Sequence, residues 1–346
     1  MNELRAILIE QVDRLIGDAG GVALLRQVET GEFPAGLWAG LEAQGLALSL
    51  VPEEAGGVGL TWGDAAAIWQ VLGRHGAPAP VAETMLGAAL LASAGIEVPE
   101  GPLGLACGRA AVPFGRHVSR LVVLEGGTVA LHEAAEAAPA ANIGREPRDL
   151  VTQGPRIARG LLPNAFGPRA GLLGRALIRA ALIAGALERV LALTVDWANT
   201  RRQFGRAIGK FQAVQQQLAA MAGEVAAVSV AVSQAARAAD AHGLAGAAFE
   251  IGCAKVVAGE AATMGAATAH QVFAAIGITE EHELHHFTRR LWSWREEGGT
   301  ERFWAAEIGR GALARGGANL WPDLTARDPQ ASEDRSTEGA RSGSAA

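Results

Sequence analysis

One stripe of apolar residues runs along the second half of the chain: Val214, Leu218, Met221, Val225, Val228, Val232, Ala235 and Ala239 follow one another in alternating steps of four and three. Such spacing puts all of them on one face of a long helix, and a helix buried along one narrow stripe needs other helices to cover it. The flanking sequence supplies them. Leu173, Leu177, Ala180, Ala184, Leu187, Leu191 and Thr194 mark a helix over 171–199, and further helical patterns run over about 244–272 and 303–313. Long helices with small-residue stripes and short connections predict an antiparallel four-helix bundle.

The rest of the chain has a different texture. The first hundred residues read as helices, including 62–73 and 82–94, interrupted by the glycine-rich loop Pro52-Glu53-Glu54-Ala55-Gly56-Gly57-Val58-Gly59. From about 101 to 160, Leu121-Val122-Val123-Leu124, Glu125-Gly126-Gly127 and Thr128-Val129-Ala130-Leu131 give a β-hairpin pattern. A second short strand is expected at 110–114. The fold class is therefore mainly α. An N-terminal helical domain (1–100) leads to a reduced β middle domain (101–165) and a C-terminal four-helix bundle (166–322). The tail, 323–346, is too poor in apolar residues to fold.

Apolar residues make up 49% of the chain, enough for a large core, and no uninterrupted apolar run is expected to span a bilayer. The first residues carry acidic groups and do not resemble a signal peptide, so a cytoplasmic location is expected. With 30 Lys and Arg against 36 Asp and Glu, the net charge of −6 argues against nucleic acid as a partner. Cys107 and Cys253 form no CxxC pair, and buried reduced thiols are expected.

The segment 200–212, TRRQFGRAIGKFQ, concentrates four cations, two aromatic rings and two amides between two long helices. Guanidinium groups suit phosphate oxygens, although a solvated basic loop would have the same composition. The run RRQFGRAIGKFQAVQQQLAAMAGE resembles the signature of acyl-CoA dehydrogenases, in which an Arg-x-Gln-Phe-Gly loop precedes a Phe-Gln pair. The stretch LSLVPEEAGGVGLTWGDAAAIWQVLGRHGAPAPV is similar to the first helical domain of that family, and the resemblance extends from about residue 36 to 310.

This resemblance implies FAD-dependent α,β-dehydrogenation of an acyl-CoA thioester, with an electron-transfer protein as acceptor. It implies that Arg201, Gln203, Phe204 and Gln212 contact FAD belonging to a neighbouring subunit. The family's Gln-x-x-Gly-Gly-x-Gly motif is matched by Gln271 to Gly277, with Ala274-Ala275 in place of the double glycine. The family's base directly precedes a Gly-Thr pair. Aligning Gly299-Thr300 puts Gly298 at the base position, leaves Glu297 one residue away as the candidate base, and counts Thr300 among the cofactor contacts. Some relatives carry the base on the preceding helix, where this chain has Arg175. The shortened middle resembles the small subunits of heteromeric members, implying a homo- or hetero-oligomer with a related longer subunit. A non-catalytic partner subunit and a helical scaffold without flavin chemistry are the alternatives.

His282-Glu283-Leu284-His285-His286 also matches H-E-x-x-H, which on a helix would let His282 and His286 share zinc, with Glu307 as a conceivable third ligand. The same residues resemble a Glu-His-x-Leu-His helix of several acyl-CoA dehydrogenases, so a zinc hydrolase is the remote alternative.

Overall fold

The computed structural model describes residues 3–108 and 111–327. The chain opens with α1 (Glu3–Asp18), α2 (Gly21–Glu29), α3 (Ala35–Ala43), α4 (Trp62–Arg74) and α5 (Val81–Ser93). Thr61 caps α4 through a reciprocal box with Asp64, and Asp240 accepts hydrogen bonds from the next two backbone N–H groups, of Trp62 and Gly63. The otherwise unsatisfied donors of that helix start thereby meet carboxylates, which its dipole also favours. α5 is buried on every face from Val81 to Leu91 and sits at the junction between the helices and the sheet.

Five strands follow: β1 (Leu103–Cys107), β2 (Val112–Pro113), β3 (Arg120–Glu125), β4 (Thr128–Ala138) and β5 (Arg148–Leu161). Their order in the sheet is β1-β3-β4-β5-β2. β1 is parallel to β3, and the other pairings are antiparallel. The predicted hairpin is β3–β4, closed by Gly126-Gly127, while the strand expected at 110–114 is limited to Val112–Pro113 among the described residues.

The second half comprises α6 (Ala170–Thr200), the two-stranded ribbon β6 (Arg202–Gln203) and β7 (Arg206–Ala207), α7 (Gln212–Gly246), α8 (Ala248–Phe273), α9 (Leu284–Glu296), α10 (Glu301–Arg315) and α11 (Leu320–Thr325). α6 lies at the centre and packs against α4, α7, α8 and α9. The stripe on α7 is buried from Met221 to Ala239, while Val214 and Leu218, nearer its start, are half-buried.

One continuous hydrophobic core joins the N-terminal helices, the inner face of the sheet and the bundle. Its closest approach is between α4 and α6. A Cβ added at Gly73 would lie 2.1 Å from the Leu182 carbonyl oxygen, and one at Gly185 only 1.8 Å from that of Gln70. Bare glycines thus let the two backbones touch.

Two expectations need correction. α11 extends to Thr325, so residues 323–325 belong to a helix rather than to an unfolded tail; residues beyond 327 lie outside the described residues. The helices Gln212–Gly246 and 248–278 are long and apolar enough to cross a bilayer by length and composition. Alanine gives them that character, and their stripes are packed inside the bundle.

Candidate functional site

The site-forming residues fall into two groups. The first lines a cavity of about 890 Å³ where the sheet meets the start of α6 and the α9–α10 turn. Its walls include Cys107, Leu124, Asn142, Arg148, Leu172 and Arg175, together with Glu296 to Gly299. Gly298 and Gly299 both have positive φ, 71° and 94°. At Gly298 an added Cβ would also meet the Ala176 backbone nitrogen at 2.9 Å, so the turn can press directly on α6. Thr300 caps α10 by accepting the Phe303 N–H at 3.1 Å. Burial pushes the Cys107 thiol up despite the pull of Arg175, so the protonated thiol rather than the thiolate is its resting form.

Glu297 lies within a buried ionic network. Its carboxylate accepts from Arg148 Nε at 2.9 Å, Arg179 Nε at 2.6 Å and Asn142 Nδ2 at 3.2 Å. Arg179 reaches Glu83 on α5 at 2.7 Å, and Arg148 reaches Glu146 at 3.1 Å. Trp294 Nε1 closes the network by donating to Glu146 at 2.8 Å. Burial alone would raise the Glu297 carboxyl, but Arg148 and Arg179 outweigh it and hold the group well below the usual carboxylate range. Removing an α-proton requires the opposite, a carboxylate whose proton affinity has been raised. The setting of Glu297 therefore does not match the role of base expected for it. Sequence reasoning missed Glu83, Asn142, Glu146, Arg148 and Arg179. A signal existed for one of them: Glu83 is the only charge in the otherwise apolar helix α5, as a paired buried charge can be.

The second group gathers at the far end of the bundle. Arg202-Gln203 pairs with Arg206-Ala207, and Phe204-Gly205 form the tip with φ of 51° and 80°. Positive φ at both central residues is the turn that matches strand twist in a tight hairpin. Phe204 is 90% exposed. Arg206 lies over the Phe211 ring at 4.2 Å, and Arg201 over Trp197 at 6.0 Å. Among the described residues no carboxylate pairs with Arg201, Arg202, Arg206 or Lys210. Gln212 begins α7 beside them.

Gln271 belongs to the same end. Trp197, near the end of α6, stacks on Phe273 at 5.0 Å and 14°, which ties the cationic ribbon to the turn after α8. Gln271 is exposed and Gly277 is buried against Phe273 and Leu284. Arg201, Gln203, Phe204, Gln212, Gln271 and Gly277 are thus grouped, whereas Glu297 and Thr300 lie with the cavity. Ala274 has φ 55° and ψ −142°, a conformation natural to glycine and strained for alanine. Ala274→Gly is expected to stabilise the protein by about 1 kcal/mol, after the added flexibility of glycine is discounted. The midpoint of urea unfolding would report it.

The H-E-x-x-H reading fails on geometry. α9 starts at Leu284, so His282 precedes the helix; its Nδ1 accepts the Leu284 N–H at 3.1 Å and its ring packs against Phe273. Glu283 is paired with Arg189 at 2.9 Å. Neither residue is placed to share a metal or act as base with His286.

Sequence models describe the two helical parts: the acyl-CoA dehydrogenase N-terminal domain matches residues 11–98 and the acyl-CoA dehydrogenase C-terminal domain matches 171–313. Acyl-CoA dehydrogenase IpdE2 of Mycobacterium tuberculosis is 32% identical over 304 residues, covering 83% of this chain and 91% of that protein. The chain belongs to the acyl-CoA dehydrogenase family. The IpdE2 protein of Mycolicibacterium smegmatis is 29% identical, with 84% and 93% of the two chains covered. Among solved structures, a Tcur3481-Tcur3483 steroid ACAD variant superposes with a TM-score of 0.79 at 24% identity, covering 91% of this chain and 99% of that one. The ChsE4-ChsE5 complex from Mycobacterium tuberculosis gives 0.77 at 24%, covering 91% and 98%. These likenesses establish the acyl-CoA dehydrogenase fold, and FAD is the cofactor of the family.

The cationic ribbon fits the phosphates of that cofactor, since it holds four exposed cations at one bundle end without a carboxylate partner among the described residues, and guanidinium groups suit phosphate oxygens. Ala274 and Ala275 fit less well, because each puts an exposed methyl group where the family's motif has glycine.

Proposed function

We propose that the chain is a supporting subunit of an FAD-dependent acyl-CoA dehydrogenase, lending its cationic ribbon to flavin at a subunit interface while a related, longer chain provides the base. The clamped state of Glu297 carries this reading. Arg148 and Arg179 both hydrogen-bond that carboxylate and hold it well below the usual carboxylate range, and Arg175 stands on α6 at the alternative position for a base. The exposure of Phe204 supports the interface, because a large ring in a preshaped turn is suited to enter a neighbouring surface. Assemblies such as the ChsE4-ChsE5 complex, whose chain shares this fold, make a two-chain enzyme a natural arrangement.

In this scheme Arg201 and Gln212 hold the phosphates and adenosine of FAD, with Gln203, Phe204 and Gln271 beside them. The flavin, when bound, accepts the hydride leaving the β-carbon of the acyl thioester. The cavity beside Gly298 orients an acyl group without deprotonating it. A cytoplasmic location and an electron-transfer protein as acceptor complete the scheme.

The test is the visible absorption of the chain purified alone and after co-expression with a longer relative. Colourless protein that becomes yellow and active only with its partner is the expected result. Yellow protein bleached by an acyl-CoA without a partner would overturn the proposal. In the assembled enzyme, Arg201→Ala is expected to lower the flavin-to-protein ratio at least about tenfold after dialysis, given the strength of charge-assisted contacts.

A further inference from the structure

Two neighbouring histidines near the start of α9 each engage Nδ1 and leave Nε2 unused among the described residues. His286 Nδ1 is 2.8 Å from Glu29 Oε1, and His285 Nδ1 is 2.8 Å from the His282 carbonyl oxygen. Both partners can only accept, which favours a proton on Nδ1 of each ring over the longer approach of Arg289 Nη2 to His286 Nδ1 at 3.5 Å; in the neutral ring Nε2 is then left as a bare lone pair. Both Nε2 atoms are buried without a hydrogen-bond partner, and the side chains are 8% and 1% exposed. Glu280 Oε2 stands 3.5 Å from His285 Nε2. The three ligand atoms of Glu280, His285 and His286 lie within 4.8 Å of one another.

Three potential lone-pair donors therefore lie close together, and a cation among them would offset their mutual repulsion. Two ligands on a tetrahedral zinc ion are about 3.3 Å apart, given bonds of about 2.0–2.1 Å, close to the Glu280–His285 separation. The carboxylate and carbonyl behind the two rings are the usual partners that orient ligating imidazoles.

We propose that Glu280, His285 and His286 form a binding site for a divalent late transition metal such as zinc, separate from the flavin and acyl sites. Glu29 is shared with Arg289 and Arg290, and Arg145 lies 3.9 Å from Glu280. This residual positive charge weakens the site relative to a closed structural zinc centre. With three protein ligands, a fourth position is open to water. The role is to clamp the turn before α9 to α9, which Glu29 already ties to α2.

The test is calorimetric titration of the intact protein with zinc chloride at neutral pH. Wild type is expected to take up one equivalent, His285→Ala to lose that uptake, and Glu280→Ala to bind about tenfold more weakly. Glu280 is exposed, so its variant remains folded even if a histidine variant does not. No saturable uptake, uptake unchanged in His285→Ala, or unchanged affinity in Glu280→Ala would each overturn the site.

Discussion

Replacing Glu297 with Gln is expected to damage stability more than catalysis. Arg148 and Arg179 are almost wholly buried, and removing the carboxylate between them leaves like charges facing each other. Breaking a buried pair in this way costs about 3–5 kcal/mol. Arg179 retains Glu83 and Arg148 retains Glu146, so a loss near about 3 kcal/mol is expected in guanidinium unfolding. Turnover of the assembled enzyme is expected to fall by less than about tenfold, whereas losing a true general base costs about 10²–10⁴-fold. An inactive variant of normal stability would restore Glu297 as base.

This network and the separate cluster of Glu29 with His286, Arg289 and Arg290 also predict acid sensitivity. Glu297 is held below its ordinary range, and Glu29, despite burial, is drawn to about 2 by His286 and Arg290. A carboxyl with a depressed folded-state pKa contributes stability fully above its unfolded value of 4.5 and loses it as the pH falls towards the folded value. Stability should accordingly decline from about pH 5 downward.

Gly185→Ala is expected to be the most damaging single-methyl change in the bundle. The new carbon would lie 1.8 Å from the Gln70 carbonyl oxygen, and neither backbone can move without separating α4 from α6. Overpacking against flexible side chains costs about 1–3 kcal/mol; against backbone it should exceed that range and reduce the yield of folded protein. Gly223→Ala is the control, because nothing lies within 4 Å of its added methyl group on α7. It is expected to stabilise the protein by about 0.5–1 kcal/mol. Equal behaviour of the two variants would show that the α4–α6 contact is not close-packed.

The long helices were legible because a one-sided apolar stripe leaves few alternatives. The β3–β4 hairpin was equally clear, since a glycine pair separates two short β-branched-rich runs. The fixation of Glu297 was hidden because its partners stand at positions 148 and 179, and spacing along a chain says nothing about which loops meet. The H-E-x-x-H match misled for a related reason. Five letters imply a helix only if one covers them, and α9 begins two residues after His282. The group around Arg201 was visible in its composition, but its union with Gln271 depends on Trp197 stacking on Phe273, a contact between distant segments.

The ionic network has a consequence for the making of the protein. Arg179 lies 96 residues after Glu83 and 118 before Glu297. A ribosome adding about 5–20 residues per second needs roughly 10–40 s to pass from the first of these to the last. For roughly the first half of that interval the N-terminal helices have emerged with Glu83 awaiting its arginine and a glycine surface awaiting α6. The network itself cannot close until Glu297, in the final third of the chain, has been synthesised, so the junction of helices and sheet is completed late in synthesis.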